Sequence, residues 1–166
     1  MRCIPDLLDY KTLLYIGARR KLTQMLNLFI DASYTIDILE IWRPNVESLQ
    51  RLGGIRNFIE GDVRNILGMK LDSYDIVMWW HGPEHVYWRE LEATLKNLTY
   101  LANKIAVVAC PWGICGQGRK KGNINERHVA SLYPEIFRAF GWETDTIGKI
   151  ANKDNTVCNL LAWSKQ

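Results

Sequence analysis

Two residues suited to ligand contact close consecutive apolar runs early in the chain. Gly17 follows the run Thr12 to Ile16, and Glu40 ends the run Thr35 to Glu40. If these runs are neighbouring strands of a parallel sheet, Gly17 lets the backbone turn sharply and approach a ligand. Glu40 then presents a carboxylate to a pair of ribose hydroxyls. The pairing predicts a site for a cofactor that contains a nucleoside.

A second group of reactive residues, His81, Glu84 and His85, forms an H-x-x-E-H string. Some zinc proteases use this string for metal ligands on one helix. Here Gly82-Pro83 place His81 ahead of the predicted helix, and no third ligand follows at a fixed spacing. The four cysteines also lack paired C-x-x-C spacing, so we expect no metal. His81 is instead the catalytic candidate, as a general base or hydrogen-bond donor towards substrate; the alternative is a histidine that orders its loop.

The elements that must position these residues are short apolar runs separated by segments of helical periodicity. Most of the first five runs are nearly continuous, as expected for strands buried on both faces of a parallel sheet. The predicted strands are Thr12 to Ile16, Thr35 to Glu40, Ile55 to Glu60, Asp75 to Trp80, Ile105 to Cys110, Glu143 to Ile147 and Val157 to Trp163. Helical spacing predicts helices over Leu22 to Phe29, Val46 to Leu52, about Glu84 to Leu101, and near Tyr133 to Phe140.

The connection Gly148 to Thr156 is too short for a helical crossover, so the last two strands are predicted to form an antiparallel hairpin. The fold class is therefore α/β: a Rossmann-like, doubly wound and mostly parallel seven-stranded sheet with a C-terminal antiparallel hairpin and helices on both faces.

Composition limits the remaining possibilities. The chain has 166 residues, 48% of them hydrophobic and 23% charged, which predicts one globular domain over residues 1–166. A net charge of +3 is too small to indicate nucleic acid or a membrane surface as partner. No apolar run approaches membrane-spanning length and no leader pattern opens the chain, so we expect a cytoplasmic protein. The seven tryptophans are compatible with a homodimer.

The residues that follow the predicted strands resemble the motifs of class I S-adenosylmethionine-dependent methyltransferases. The resemblance extends from Leu13 to Trp163 in element order and motif placement. The segments that carry it are Tyr15-Ile16-Gly17-Ala18, Glu40, Glu60-Gly61-Asp62-Val63 and Tyr74-Asp75-Ile76-Val77-Met78-Trp79-Trp80-His81. The terminal hairpin also fits this family, in contrast to nicotinamide-binding folds.

The resemblance implies S-adenosyl-L-methionine as cofactor and a small-molecule or glycan-like methyl acceptor. Glu40 matches the residue that holds the cofactor ribose, and Asp62 with Val63 matches the segment that contacts the adenine. Asp62 is also a candidate helix N-cap, a role compatible with that contact. The implied cofactor-binding residues are Gly17, Ala18, Glu40, Ile41, Asp62, Val63 and Trp80. His81 is the catalytic candidate, and the substrate-side candidates are Glu84, Trp112 and His128.

A narrower similarity is to small methyltransferase-like proteins of bacteria or archaea. It rests on His81-Gly82-Pro83-Glu84-His85-Val86, on Cys110-Pro111-Trp112-Gly113, and on Gln117, Gly122-Asn123, Glu126, His128 and Ser131. The chain departs from the family in its glycine motif, which has only Gly17 and continues into Arg19-Arg20-Lys21. These basic residues either hold the cofactor's carboxylate at a helix N-terminus or mark a degenerate site.

Two alternatives remain at this point. One is a non-catalytic Rossmann-like binding or scaffolding module, which the single glycine favours. The other is a nucleic-acid methyltransferase that uses Arg19 to Lys21 and the basic loop Arg119 to Lys121. The fourth motif lacks the Asn-Pro-Pro-Tyr type of sequence found in many such enzymes, which makes nucleic acid the less favoured partner. The same basic loop is either a lid over the acceptor or a solvated surface loop.

Overall fold

The computed structural model describes residues 9–19, 23–147 and 159–166. Its strands are β1 (Thr12–Ile16), β2 (Thr35–Glu40), β3 (Asn57–Glu60), β4 (Tyr74–Trp80), β5 (Ala102–Pro111), β6 (Glu143–Ile147) and β7 (Asn159–Lys165). Its α-helices are α1 (Thr23–Asp31), α2 (Arg43–Leu49), α3 (Trp88–Leu101) and α4 (Pro134–Ala139). Short 3-10 helices cover Val63–Met69, Pro83–His85 and Ile124–Glu126.

The seven strands form one sheet in the order β3-β2-β1-β4-β5-β7-β6. The first five strands are parallel to their neighbours, whereas β7 lies antiparallel between β5 and β6. The chain leaves β1 to build one half of the sheet and returns to β4 to build the other. This order confirms the predicted doubly wound sheet and its antiparallel hairpin. The predicted hairpin loop, Gly148 to Thr156, lies outside the described residues.

Alternation along the strands divides the core between the two faces of the sheet. Leu14 and Ile16 of β1 pack with the buried face of α3 and with Phe137 of α4. Leu13 and Tyr15 pack on the opposite face with Leu26 of α1 and with Leu49 of α2. Helices therefore cover both faces, as expected for a sheet whose central strands are apolar throughout. Within the described ranges, no helix has the length and apolar character needed to cross a membrane.

Several predicted boundaries need correction. Strand β3 begins at Asn57 rather than Ile55, and the described part of β7 begins at Asn159. The helix predicted from about Glu84 begins only at Trp88, because Val86 and Tyr87 have extended backbone. Glu84 lies instead in the separate 3-10 turn Pro83–His85. Because of this break, Glu84 is not part of α3 and lies instead near the carboxyl end of β4.

A buried polar cluster connects three strand regions within the sheet. Asp37 of β2 accepts hydrogen bonds from Arg56 Nη2 at 2.6 Å, Tyr74 Oη at 2.8 Å and Asn57 Nδ2 at 3.1 Å. Burial by itself would raise the pKa of Asp37, but these hydrogen bonds outweigh it and leave the pKa below its usual range. The carboxylate thus links β2 to the start of β3 and, across the intervening β1, to Tyr74 at the start of β4.

Candidate active site

A cleft opens at the carboxyl ends of β1, β2, β3 and β4, on either side of the point where strand order reverses. This is the position at which open α/β sheets bind their ligands. Its lining comes from four strand ends and from one distant loop. The lining residues are Ile16, Gly17, Arg19, Leu39, Glu40, Ile41, Gly61, Asp62, Val63, Arg64, Trp79, His81, Gly82, His85, Val86, Asn123, Asn125 and Glu126.

Gly17 makes the turn that opens the cleft after β1. Its φ of 74° lies in the left-handed region, and its N–H donates to the carbonyl of Leu39 at 2.9 Å. A Cβ here would have no close neighbour, since the nearest atom is Trp79 Cδ1 at 3.9 Å, so backbone conformation is what favours glycine. Ala18 is buried against the α1 and α2 face and does not line the cleft.

Glu40 and Ile41 both line the cleft at the end of β2. Glu40 is only 5% exposed, and its Oε1 accepts the N–H of Trp42 at 2.8 Å. Burial raises the pKa of Glu40, although hydrogen bonds from Trp42 and Asn45 and the charge of Arg19 oppose this effect. The carboxylate is therefore held in a fixed position beside the cavity, where it can accept hydrogen bonds from a ligand.

Asp62 and Val63 line the neighbouring wall after β3. The predicted N-cap is confirmed, because Asp62 Oδ1 accepts the N–H of Arg64 at 2.9 Å at the start of the 3-10 helix Val63–Met69. The Arg64 guanidinium also binds this carboxylate. Burial alone would raise the pKa of Asp62, but the bonds from Arg64 lower it overall. Any ligand that contacts Asp62 would therefore contact a carboxylate that is already ion-paired with Arg64.

The tryptophan that lines the cleft is Trp79 rather than Trp80. Successive side chains of β4 point to opposite faces, so Trp79 joins the α3 side of the core and Trp80 packs against the α1 and α2 side. Gly82 fits closely against the Trp79 indole, because a Cβ at this position would overlap the ring. The fourth motif thus contributes an aromatic wall one residue earlier than we predicted.

His81 follows β4 and lines the cleft. Its backbone adopts a φ of 53°, which is uncommon for a residue other than glycine, and its N–H donates to the carbonyl of Ala109 at 2.7 Å. The ring Nδ1 lies 3.3 Å from Glu84 Oε1. The neighbouring strand β5 and Glu84 therefore fix both the backbone and the ring of His81.

The three substrate-side candidates occupy different positions. Glu84 is 2% exposed and lies behind the cleft rather than on its surface. His128 is brought next to it, with Nε2 3.9 Å from Glu84 Oε1. Trp112 is partly exposed and does not line the cleft. The structure therefore brings Glu84 and His128 together with His81, whereas Trp112 is not part of the cleft lining.

Sequence reasoning missed part of the cleft wall. Asn123, Asn125 and Glu126 reach it from the 3-10 turn between β5 and α4. Glu126 forms an ion pair with Arg19, whose pKa is lowered by burial and raised by the nearby Glu40 and Glu84. The opposite charges of Arg19 and Glu126 were visible in the sequence, but their distance along the chain gave no sign of the pairing. Arg20 and Lys21 lie outside the described residues.

The fold is shared with many solved structures. The N-terminal domain of EvdMO1 with SAH bound matches 94% of this chain and 74% of its own at 14% identity, with a TM-score of 0.67. A SAM dependent methyltransferase from Archaeoglobus fulgidus matches 99% of this chain and 90% of its own at 17% identity, with a TM-score of 0.66. Burkholderia thailandensis 1,6-didemethyltoxoflavin-N1-methyltransferase, with its bound 1,6-didemethyltoxoflavin and S-adenosylhomocysteine, matches 96% of this chain and 72% of its own at 14% identity, with a TM-score of 0.63. No protein-family model matches the sequence, and no curated protein matches it.

The fold is that of the class I methyltransferases. Identities of this size establish the fold alone, so what the site binds has to be argued from its own residues. In this methyltransferase fold, the left-handed turn at Gly17 and the two carboxylates Glu40 and Asp62 surround one cavity. The cleft offers the backbone turn at Gly17, the Glu40 carboxylate as an acceptor for hydroxyl groups, and the aromatic ring of Trp79. These features suit a nucleoside ligand.

Proposed function

We propose that this chain is an S-adenosylmethionine-dependent methyltransferase that acts on a small-molecule or glycan-like acceptor. The observation that carries the proposal is the single cleft that joins Gly17, Glu40 and Asp62 at the carboxyl edge of a methyltransferase-type sheet. Structural neighbours solved with SAH bound support the choice of cofactor.

In this proposal the cleft residues bind different parts of the cofactor. Glu40 accepts hydrogen bonds from the ribose hydroxyls, and Asp62 with the Val63 backbone contacts the adenine. Arg19 lines the cleft beside Gly17 and supplies a positive charge for the cofactor's carboxylate. Arg19 already pairs with Glu126, so a bound carboxylate would share or replace that partner.

The bound cofactor would supply an electrophilic methyl carbon, so the protein has to align the acceptor and take up its proton. His81 is placed for the second task. An ionised Glu84 only accepts hydrogen bonds, so the 3.3 Å contact assigns the proton to His81 Nδ1 and leaves Nε2 with a free lone pair. A ring held in this tautomer by a buried carboxylate can act as a general base.

Cofactor binding can be tested by calorimetric titration of S-adenosylhomocysteine and S-adenosylmethionine. We expect micromolar binding of both, weakened about 10-fold by Glu40→Gln because a charged hydrogen-bond acceptor is lost. Glu47→Gln is the matched control, since Glu47 is an exposed carboxylate on α2 paired with Arg43. The proposal is wrong if neither compound binds at high micromolar concentrations.

Catalysis needs a separate test, because a non-catalytic module could also bind the cofactor. Methyl transfer from isotope-labelled S-adenosylmethionine would be followed with a panel of sugars, glycosides and small alcohols. His81→Ala is expected to keep its affinity for S-adenosylhomocysteine and to lose transfer by about 100-fold or more. Cofactor binding without transfer to any acceptor of the panel would favour the binding-module alternative.

A further inference from the structure

All three histidines of the chain converge on one buried carboxylate. His81 Nδ1 lies 3.3 Å from Glu84 Oε1, and the Nε2 atoms of His85 and His128 each lie 3.9 Å from the same oxygen. One possible ligand atom from each of Glu84, His85 and His128 can be chosen so that the three atoms lie within 4.8 Å of one another. Histidines from separate segments therefore surround a residue that is only 2% exposed.

Backbone hydrogen bonds hold the two contributing segments together. The Glu84 carbonyl accepts the N–H groups of Val129 at 2.8 Å and Ala130 at 3.2 Å. The N–H of His128 in turn donates to the carbonyl of Gln117 at 3.0 Å. These contacts place His128 beside the turn that carries Glu84 and His85. We expected no metal because no third ligand follows at a fixed spacing in the sequence. The structure brings His128 from a distant loop into the position where a third ligand could lie.

The hydrogen bonds of the two rings determine which nitrogen carries the proton. His85 Nδ1 contacts the Arg127 carbonyl at 3.0 Å, and His128 Nδ1 contacts the Cys115 carbonyl. A carbonyl only accepts, so Nδ1 is the protonated nitrogen of each ring and Nε2 carries the lone pair when the ring is neutral. Both lone pairs then face Glu84. Metal-binding histidines are fixed in the same way, with the second ring nitrogen donating to a backbone carbonyl or carboxylate.

Glu84 is incompletely satisfied by the protein. Its Oε2 is buried and has no hydrogen-bond partner among the described residues. An unpartnered carboxylate oxygen away from water is costly, and two facing lone pairs from neutral histidines make its surroundings less favourable still. A cation at the centre of the cluster would neutralise the buried charge and accept both lone pairs, and bidentate binding of the carboxylate would also engage Oε2.

We propose that Glu84, His85 and His128 form a binding site for a divalent transition metal ion. Two imidazoles and one carboxylate suit Zn²⁺, Co²⁺, Fe²⁺ or Mn²⁺, whereas Mg²⁺ and Ca²⁺ prefer oxygen ligands. The ligands of a four-coordinate zinc lie about 3.3 Å from one another. The observed separations are 3.9 Å from Glu84 Oε1 to each histidine Nε2 and no more than 4.8 Å within the set, so the side chains have to move closer together around the ion.

The metal site would adjoin the cleft, because its proposed ligand His85 also lines the cleft. Three protein ligands leave at least one coordination position for water or for a substrate oxygen. This part of the inference rests on the proposed methyltransferase function: a hydroxyl bound to the metal would have a lowered pKa and a fixed position near His81. The metal site itself does not depend on that function.

Cobalt titration of the untagged, chelator-treated protein tests the site directly. We expect one equivalent of Co²⁺ to bind with visible d–d absorption bands, Zn²⁺ to displace it, and Mg²⁺ at equal concentration to leave the spectrum unchanged. His128→Asn should weaken Co²⁺ binding about 100-fold or more. His81→Asn keeps all three ligands and removes only a hydrogen bond to Glu84, so it should weaken Co²⁺ binding by about 10-fold at most.

A measurement on the unmodified chain avoids the risk that a variant fails to fold. Long-range ¹H–¹⁵N spectra resolve all three histidines, and Zn²⁺ should shift the Nε2 signals of His85 and His128 while their Nδ1 atoms stay protonated. Absence of stoichiometric Zn²⁺ and Co²⁺ binding, or Zn²⁺ binding that leaves the Nε2 signals of His85 and His128 unshifted, would overturn the proposal. Calorimetry with S-adenosylhomocysteine on the same chelator-treated sample separates this failure from a failure of the proposed function.

Discussion

Two carboxylates in this protein are equally buried but differ in how far the surrounding residues satisfy their hydrogen-bonding capacity. Asp37 and Glu84 are each 2% exposed. Asp37 accepts hydrogen bonds from Arg56, Tyr74 and Asn57, which together engage both of its oxygens. Glu84 has a weak contact with His81 through Oε1 and none to Oε2 among the described residues.

The difference separates a structural role from a functional one. Asp37 has its partners inside the fold, so its charge is neutralised by Arg56 and its oxygens are satisfied by Arg56, Asn57 and Tyr74. Glu84 lies at the carboxyl ends of the strands, where such sheets bind ligands. Its hydrogen-bond donor is His81, whereas the Nε2 atoms of His85 and His128 that face it carry lone pairs when their rings are neutral. Arg19 interacts with Glu84 electrostatically but forms no hydrogen bond to it among the described residues, so this buried charge is a candidate for binding a cation. Burial alone does not distinguish the two residues, but their donors do.

The largest expected effect is on stability. Asp37→Ala leaves the Tyr74 hydroxyl and Arg56 without their acceptor, and we expect the free energy of unfolding to fall by about 2–3 kcal/mol. This estimate is below that for a fully buried pair because the Arg56 side chain is 43% exposed. Urea denaturation measures it, with the exposed Asp72→Ala as control. An Asp37→Ala variant as stable as the Asp72→Ala control would contradict a structural role.

The pH dependence of stability gives a second, smaller contrast. The pKa of Asp37 is lowered in the folded protein, so its contribution is complete above the unfolded value of about 3.9 and is lost as pH falls through the folded pKa. We expect the wild-type protein to lose stability over this acidic range more steeply than Asp37→Asn. Denaturation curves collected from pH 6 to pH 2 test this. Parallel pH profiles for the two proteins would show that Asp37 is not the titrating group.

The smallest expected effect on stability belongs to Glu84. In metal-free protein, Glu84→Gln removes a poorly satisfied charge and adds an amide donor for the histidine lone pairs. The free energy of unfolding should therefore stay within about 1 kcal/mol of wild type or rise. Addition of Zn²⁺ should raise the melting temperature of the wild type and leave that of Glu84→Gln unchanged. A loss of stability comparable to that of Asp37→Ala would place Glu84 among the structural residues.

Most of the fold was predictable because buried strands and helices show characteristic patterns of apolar residues in the sequence. The continuous apolar runs of β1 and β4 and the spacing of Leu91, Leu95 and Leu98 on α3 specify which elements are buried and on which side. Local boundaries were less predictable. The predicted helix start at Glu84 was wrong because Pro83 begins a separate 3-10 turn, and apolar periodicity carries no information about such a turn.

The candidate site was predictable only where it follows a strand end. Gly17 follows β1 directly, Glu40 is the last residue of β2, and Asp62 lies two residues after β3, so topology alone brings them to the carboxyl ends of the strands. The pairing of Glu84 with His128 depends on the path of the loop after β5, and no periodicity encodes that path. Trp79 and Trp80 show a third limit, since a shift of one residue in a strand exchanges the two faces of the sheet.

A crystal structure grown with S-adenosylhomocysteine and Co²⁺, with anomalous data collected at the cobalt edge, tests the central claim most directly. The account predicts the ribose hydroxyls on the Glu40 carboxylate and one anomalous peak bounded by Glu84, His85 and His128, with none near Asp37. A nucleoside bound away from Glu40, or cobalt absent from the Glu84 cluster, would contradict it.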